Sequence, residues 1–276
     1  MARAALGPDV VGLELAATEF SYEERDVMLY ALGIGAKELP FIFERGLKVI
    51  PTFAVIPAFP ALMGLSAGVD INPVMILHGE QGFRLNKEIP TKGTLSTSGK
   101  VTGVYDKGKG ALVAIESTTK DASGDVVFTN TSGVFVRGAG GFGGDRGPEA
   151  GNAAPDRAPD KSVEMTTLDI QAAIYRLSGD RNPLHIDPDF AKMAGYDRPI
   201  LHGLCSFGHV GRAVLQAYCD NDTSKFVGFA CRFSGVVYPG DTITTDMWDE
   251  GNGKILVQAK TQDGRVVIGN AAAEVK

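Results

Sequence analysis

The sequence predicts an α+β fold built from two similar units, each an antiparallel sheet with a few helices. Three observations carry this expectation. First, segments recur in the same order at a nearly constant offset: "YALGIG" aligns with "YRLSGD", "KGTLSTSGKV" with "GDTITTDMW", and "GDVVFTNTSGVFV" with "GRVVIGNAAAEV". Second, both halves end in long β-branched runs punctuated by turn residues, as at Ala122-Ser123-Gly124 and Asp263-Gly264. Third, the composition changes abruptly over residues 138–161 to Gly, Pro, Ala and Asp. That stretch reads as a linker between an N-terminal unit, residues 1–137, and a C-terminal unit, residues 162–276.

In chain order, "SYEERDVMLYALGIG" predicts a helix, with Ser21 as its N-cap and Glu24 closing a capping box. Residues 49–69, "VIPTFAVIPAFPALMGLSAGV", are uncharged but hold Pro51, Pro57 and Pro60. The expectation is a buried strand followed by an irregular apolar segment, which leaves room for an acyl tail and does not span a membrane. "GAGGFG" in the linker matches the GxGxxG dinucleotide pattern, yet "GDRGPEAG" follows where that pattern needs a helix. "TLDIQAAIYRLSG" repeats the first helix, with Gly179 as its stop. Asp187 and Pro188 open a further short helix as N-cap and first residue, and Gly195 closes it. A longer helix begins near Leu204.

The net charge of −6 and the lack of a Lys/Arg run argue against a nucleic-acid partner. Cys205, Cys219 and Cys231 are odd in number and show no CxxC spacing, so they read as buried free thiols in a reducing compartment. The N-terminus carries no apolar h-region and the chain ends in "AEVK", so neither a secretory signal nor a Ser-Lys-Leu address is expected.

"SGDRNPLHIDPDF" is the stretch with chemistry in it. Asp187 and Asp189 suit a helix start. Asp180 and His185 have no such explanation, and a carboxylate and an imidazole on one loop make an acid/base pair able to hold a water molecule. Asn182 between them can orient either one. A metal is the rival reading, but one Asp and one His are too few ligands, and His202 and His209 complete neither HxxxH nor HExxH. A purely structural polar loop is the third. Downstream, Gly203 opens a helix, where its backbone N–H can face a ligand closely.

"YRLSGDRNPLHIDPDFAKMAGYDRPILHGLCSFG", with "HGEQGF", "YDKGKG" and "CRFSGVVYPGDTI", resembles the type 2 enoyl-CoA hydratases of the MaoC-like group over nearly the whole chain. The resemblance implies a double hot-dog fold, a homodimer, and reversible hydration of trans-2-enoyl-CoA to (3R)-3-hydroxyacyl-CoA. It implies no metal and no cofactor beyond the coenzyme A of the substrate. It makes Asp180 and His185 the catalytic pair, Asn182 their support and Gly203 the contact to the thioester oxygen. It puts His78, Gly79, Lys107, Arg181, Pro183, Leu184 and Phe233 on substrate- or CoA-contact positions. The N-terminal unit lacks the catalytic loop. The implied setting is intracellular and soluble, peroxisomal in a eukaryote and cytoplasmic in a bacterium. A dehydratase or thioesterase on the same fold, or a non-catalytic acyl-CoA-binding protein, is the alternative.

Overall fold

The computed structural model describes residues 3–72 and 75–276. In chain order its longer elements begin with β1 (Glu14–Tyr22), α1 (Glu24–Gly33), α2 (Val55–Met63), β2 (Ile76–Leu85), β3 (Gly93–Asp106), β4 (Gly110–Lys120) and β5 (Val126–Arg137). They continue with β6 (Lys161–Thr166), α3 (Gln171–Tyr175), α4 (Pro188–Met193), α5 (Gly203–Cys219), β7 (Phe226–Phe233), β8 (Thr242–Asp249), β9 (Lys254–Thr261) and β10 (Val266–Val275). This is the expected α+β architecture of two hot-dog units, with antiparallel strands and a helix against each sheet.

Packing divides the chain into two compact units that do not follow the order of the sequence. One comprises residues 1–21, 54–87 and 94–150; the other comprises 22–53, 88–93 and 151–276. Residues 22–53 and 88–93, expected in the N-terminal unit, therefore pack with the C-terminal strands. The expected linker is shared, its first part folding with the first unit and the rest with the second.

In the first unit the strands run in the order β1-β3-β4-β5-β2. Alternation along β3 buries Leu95, Thr97 and Val101 on one face while their neighbours stay exposed. Val101, Val113, Ile115, Val134 and Val136 form a core with Val10, Leu65 and Val69.

Residues 55–63 correct the sequence expectation, because they are helical. Pro57 falls in the first turn of α2, where its missing N–H has no intrahelical acceptor to serve. Pro60 then costs one internal hydrogen bond, and burial of Val55, Ile56, Ala58 and Ala61 outweighs it. The sheet beneath the start of α2 is polar. Thr97 Oγ1 and Thr119 Oγ1 lie 2.8 Å apart. Asn130 Nδ2 donates to the Ala54 carbonyl at 3.2 Å, and Gln81 Nε2 donates to Asn130 Oδ1 at 2.9 Å. The helical run Pro51–Gly68 is long and apolar enough to cross a membrane by length and composition, but 56% of it is buried inside the protein, as in a core helix.

In the second unit the order is β7-β10-β9-β8-β6. α5 packs across β6, β7, β8 and β10. Its buried side chains include Leu204, Phe207, Val210, Ala213, Val214 and Leu215. Phe207 meets Phe229 with ring centroids 4.7 Å apart. α1 lies against α3 in this unit. Its start differs from the expected box. Ser21 and Tyr22 continue β1, so the helix begins only at Glu24. The reciprocal bonds join Glu23 and Asp26, with Asp26 Oδ2 accepting from the Glu23 N–H at 2.9 Å. Cys205, Cys219 and Cys231 are free and buried, as expected.

Candidate active site

The site lies in the second unit, on the segment between α3 and α5. One 3-10 turn, Arg176–Ser178, extends α3 and stops at Gly179, whose φ of 136° is readily available only to glycine. The chain then doubles back on itself through backbone-to-side-chain bonds. Asp180 Oδ1 accepts from the Asn182 N–H at 3.1 Å, and Asn182 Oδ1 accepts from the Leu184 N–H at 3.0 Å. The second bond caps a 3-10 turn, Pro183–His185, that Pro183 opens. Asn182 therefore shapes the loop. Asp187 caps α4 through the Asp189 and Phe190 amides, as the sequence implied.

This turn buries His185, which is 8% exposed, beside the half-buried Asp180. His185 Nδ1 lies 2.9 Å from the Ile200 carbonyl oxygen. A carbonyl only accepts, so Nδ1 carries the proton and Nε2 of the neutral ring keeps its lone pair. Burial holds the His185 pKa below the usual histidine value, against the opposing pull of the Ile200 carbonyl and the Asp180 carboxylate. The ring is thus a neutral base near pH 7.

His202 completes the cluster. It is the N-cap residue of α5 and is 1% exposed. Its ring stacks on His185 with centroids 3.8 Å apart and planes at 30°. Its Nε2 donates to the Asp180 carbonyl oxygen at 3.1 Å, so the loop backbone and the helix start are tied together. Burial, and then the neighbouring His185, push the His202 pKa down to about 2. Tyr175 packs on the other side of His202, with ring centroids 5.0 Å apart. Sequence reasoning weighed His202 only as a metal ligand; its place between an apolar run and a helix start was the available signal.

Asp180, His185 and His202 offer three potential ligand atoms within 4.8 Å of one another. Two of the four imidazole nitrogens already donate to carbonyls. The arrangement suits holding a neutral molecule between an imidazole and a carboxylate better than chelation.

Gly203 is the first residue of α5 and is exposed. Its N–H belongs to the first turn, which has no intrahelical acceptors and carries the positive end of the helix dipole. A Cβ there would sit 3.4 Å from the Phe233 ring, so Phe233 lies against the Cα of Gly203. Arg181 and Pro183 are exposed on the loop and Leu184 is half-buried. The structure thus brings Asp180, Asn182, His185, Gly203 and Phe233 into one unit, together with Arg181, Pro183 and Leu184. His78, Gly79 and Lys107 belong to the other unit. His78 and Gly79 lie at a β-bulge in β2, and Lys107 follows β3. Burial lowers the His78 pKa to about 4.

Comparison with known proteins gives the family. Residues 20–138 match the MFE-2 hydratase 2 N-terminal domain, and residues 150–272 match the MaoC like domain. A probable enoyl-CoA hydratase 2 of Dictyostelium discoideum is 43% identical over 97% of this chain and 95% of that protein. The peroxisomal hydratase-dehydrogenase-epimerase of Neurospora crassa is 48% identical over 96% of this chain, which spans only 31% of that longer protein. The crystal structure of a MaoC-like dehydratase from Phytophthora capsici superposes with a TM-score of 0.90 at 37% identity, covering 98% of each chain. With both halves matched and relatives of this similarity aligned end to end, the chain belongs to the MaoC-like hydratase family, close to the type 2 enoyl-CoA hydratases.

Proposed function

We propose that this chain catalyses the reversible hydration of trans-2-enoyl-CoA to (3R)-3-hydroxyacyl-CoA. One observation carries the reading. The Ile200 carbonyl fixes His185 as a neutral ring with a free Nε2, in the same compact cluster as the Asp180 carboxylate. Such a pair grips a water molecule from two sides. As the water oxygen bonds to C3, one member of the pair takes a proton, and the C2–C3 π electrons move toward the thioester oxygen. A proton returned from the pair to C2 collapses the enolate and restores the site. The Gly203 N–H at the start of α5 faces the developing negative charge. General acid–base help is worth ~10²–10⁴ in rate, and an oxyanion donor a further ~10²–10³.

Loss of the enoyl absorbance of crotonyl-CoA, with chiral analysis of the product, tests the reaction. Asp180→Asn and His185→Gln should each reduce turnover by ~10² or more with the fold intact. Their combination should be little worse than the worse single change, because the two act as a unit. A mainly (3S) product, CoA release without hydration, or ordinary activity in a folded single variant refutes the reading.

The working form is taken to be an intracellular homodimer. Exposed Leu168, Ile170 and Leu177 in the second unit give apolar surface for self-association. The peroxisomal relatives favour that compartment if the source is eukaryotic, and the cytoplasm is expected if it is bacterial. Sedimentation of the purified chain and localisation of a tagged copy test these two points.

A further inference from the structure

His202 holds a place in the fold that the start of a helix does not explain. It is the N-cap residue of α5. Ser, Thr, Asp or Asn is preferred there, because a short side chain can accept from the first-turn amides. The His202 side chain makes no such bond. Its backbone serves the helix, the carbonyl accepting from the Cys205 N–H at 3.1 Å and the Ser206 N–H at 3.2 Å. The imidazole turns back instead toward the catalytic loop.

Residues 200–202 grip that loop at both ends of the Asp180–His185 turn. The Ile200 carbonyl holds His185 Nδ1 at 2.9 Å, and His202 Nε2 donates to the Asp180 carbonyl at 3.1 Å. Between them the Leu201 N–H donates to the Val237 carbonyl at 2.7 Å, which ties the short segment to the rest of the unit. A carbonyl only accepts, so Nε2 of His202 carries the proton. Its buried Nδ1 is then a bare lone pair with no hydrogen-bond partner among the described residues. The two rings are thus fixed in opposite tautomers by one stretch of backbone.

The His202 ring also lies between two others. His185 is stacked on it with centroids 3.8 Å apart, and Tyr175 packs against it at 5.0 Å. Tyr175 is itself buried, with the Tyr30 ring 6.1 Å away, so the stack has a firm backing. His202 therefore covers a face of His185, and burial is the main cause of that base's lowered pKa. The titratable and charged groups around the two rings are Asp180 on the loop, Arg176 on the turn after α3, and Tyr175 at the end of α3, which also senses Cys205 of α5.

We infer that His202 is a positioning residue for the hydration: its Nε2–H fixes the Asp180 end of the catalytic loop and its ring covers His185, so that carboxylate and imidazole meet on one water molecule. This rests on the acid/base reading of Asp180 and His185. Two substitutions separate the two roles. His202→Phe keeps a ring over His185 and leaves the Asp180 carbonyl without this donor. His202→Gln keeps an Nε2 donor of similar reach and removes the ring.

The first measurement is nitrogen NMR of the wild-type chain labelled at histidine, which needs neither turnover nor a variant. We expect His202 as the neutral Nε2–H tautomer and His185 as the Nδ1–H tautomer at pH 7. The second is kcat, KM and the pH profile of crotonyl-CoA hydration in variants shown to be folded by urea unfolding with Trp248 fluorescence. In His202→Phe, kcat should fall about 10-fold or more, with KM and the acid limb of the profile little changed. In His202→Gln, kcat should fall less, while the His185 titration and the acid limb both move up toward the free-histidine value. A Nδ1–H or protonated His202 in wild type, a wild-type kcat in folded His202→Phe, or an unmoved His185 titration in folded His202→Gln overturns the assignment. No turnover of crotonyl-CoA by wild type would instead sink the hydratase reading, with the nitrogen resonances still deciding whether His202 holds the loop.

Discussion

Lowering the pH from 7.5 to 5.0 should weaken the second unit through His209. This residue is 1% exposed on α5. Its Nδ1 donates to the Cys205 carbonyl at 2.9 Å, and its buried Nε2 has no hydrogen-bond partner among the described residues. Burial, with the neighbouring Arg212 also disfavouring the charged ring, lowers its pKa from 6.5 to about 4. The unfolded chain therefore binds a proton that the folded chain refuses. Stability is greatest above about pH 6.5 and falls as the pH drops toward 4, below which this contribution stops changing. At 1.36 kcal/mol per unit, the interval from 6.5 to 5.0 corresponds to about 2 kcal/mol. His209→Gln removes the titration and leaves the other histidines in place. The chain's single tryptophan, Trp248, lies in the same unit, so its fluorescence during urea unfolding follows that unit. Wild type should lose about 2 kcal/mol more than His209→Gln between the two pH values. Equal losses in the two proteins would refute the reasoning.

Two predictions concern catalysis. Gly203→Ala should fold normally, since its Cβ meets Phe233 at an ordinary contact distance of 3.4 Å, yet kcat/KM should fall about 10-fold or more because the methyl crowds the thioester oxygen; a wild-type rate would remove Gly203 from the site. The pH profile of kcat/KM should show its acid-side decline, as His185 protonates, at a lower pH than a free histidine would give, because burial holds its pKa below the usual value; a decline at or above the pH of free histidine titration would contradict a neutral, buried base.

The catalytic loop was legible because its chemistry is local. Gly179, Asn182, Pro183, Asp187 and Pro188 each act within a few residues of themselves, so spacing alone places Asp180 and His185 on one irregular stretch. What the sequence hid depends on distant partners. Ser21 could have capped α1, but β1 claims it, and its hydroxyl instead lies 2.8 Å from Thr94 Oγ1. Residues 55–63 looked too rich in proline for a helix, yet the two prolines fall where one N–H is not needed and only one bond is lost. The Gly-rich segment read as a linker because Asp106, whose carboxylate accepts from its Gly141 and Gly143 amides, is 35 residues from Gly141. His202 was weighed only as a metal ligand because its actual contact, stacking on the ring of His185, joins residues 17 apart in the chain.

The same dependence explains the fate of the loop that the N-terminal repeat lacks. Tyr30 and Tyr175 hold matching positions in the duplicated sequence, and in the second unit their rings face each other at 6.1 Å. After Tyr175 the chain leaves its helix free to build the Asp180–His185 turn. After Tyr30 the corresponding backbone is consumed as an anchor. The carbonyls of Leu32 and Gly33 accept from Gln171 Nε2 at 3.0 and 2.6 Å. Gly33 also accepts from Cys205 Sγ at 3.2 Å, and the Ile34 carbonyl accepts from the Arg212 guanidinium at 2.7 Å. Gln171 starts α3, while Cys205 and Arg212 stand on α5 below Gly203. The end of α1 thus fixes the two helices that flank the catalytic loop, and a reactive loop there would take those acceptors away. Arg212→Met keeps most of the buried volume but leaves the Ile34 carbonyl without its donor. It should destabilise the second unit by about 1–3 kcal/mol in the Trp248 unfolding assay. A loss smaller than about 0.5 kcal/mol, the usual range for a surface change, would mean that the anchor contributes nothing and that the missing loop needs another explanation.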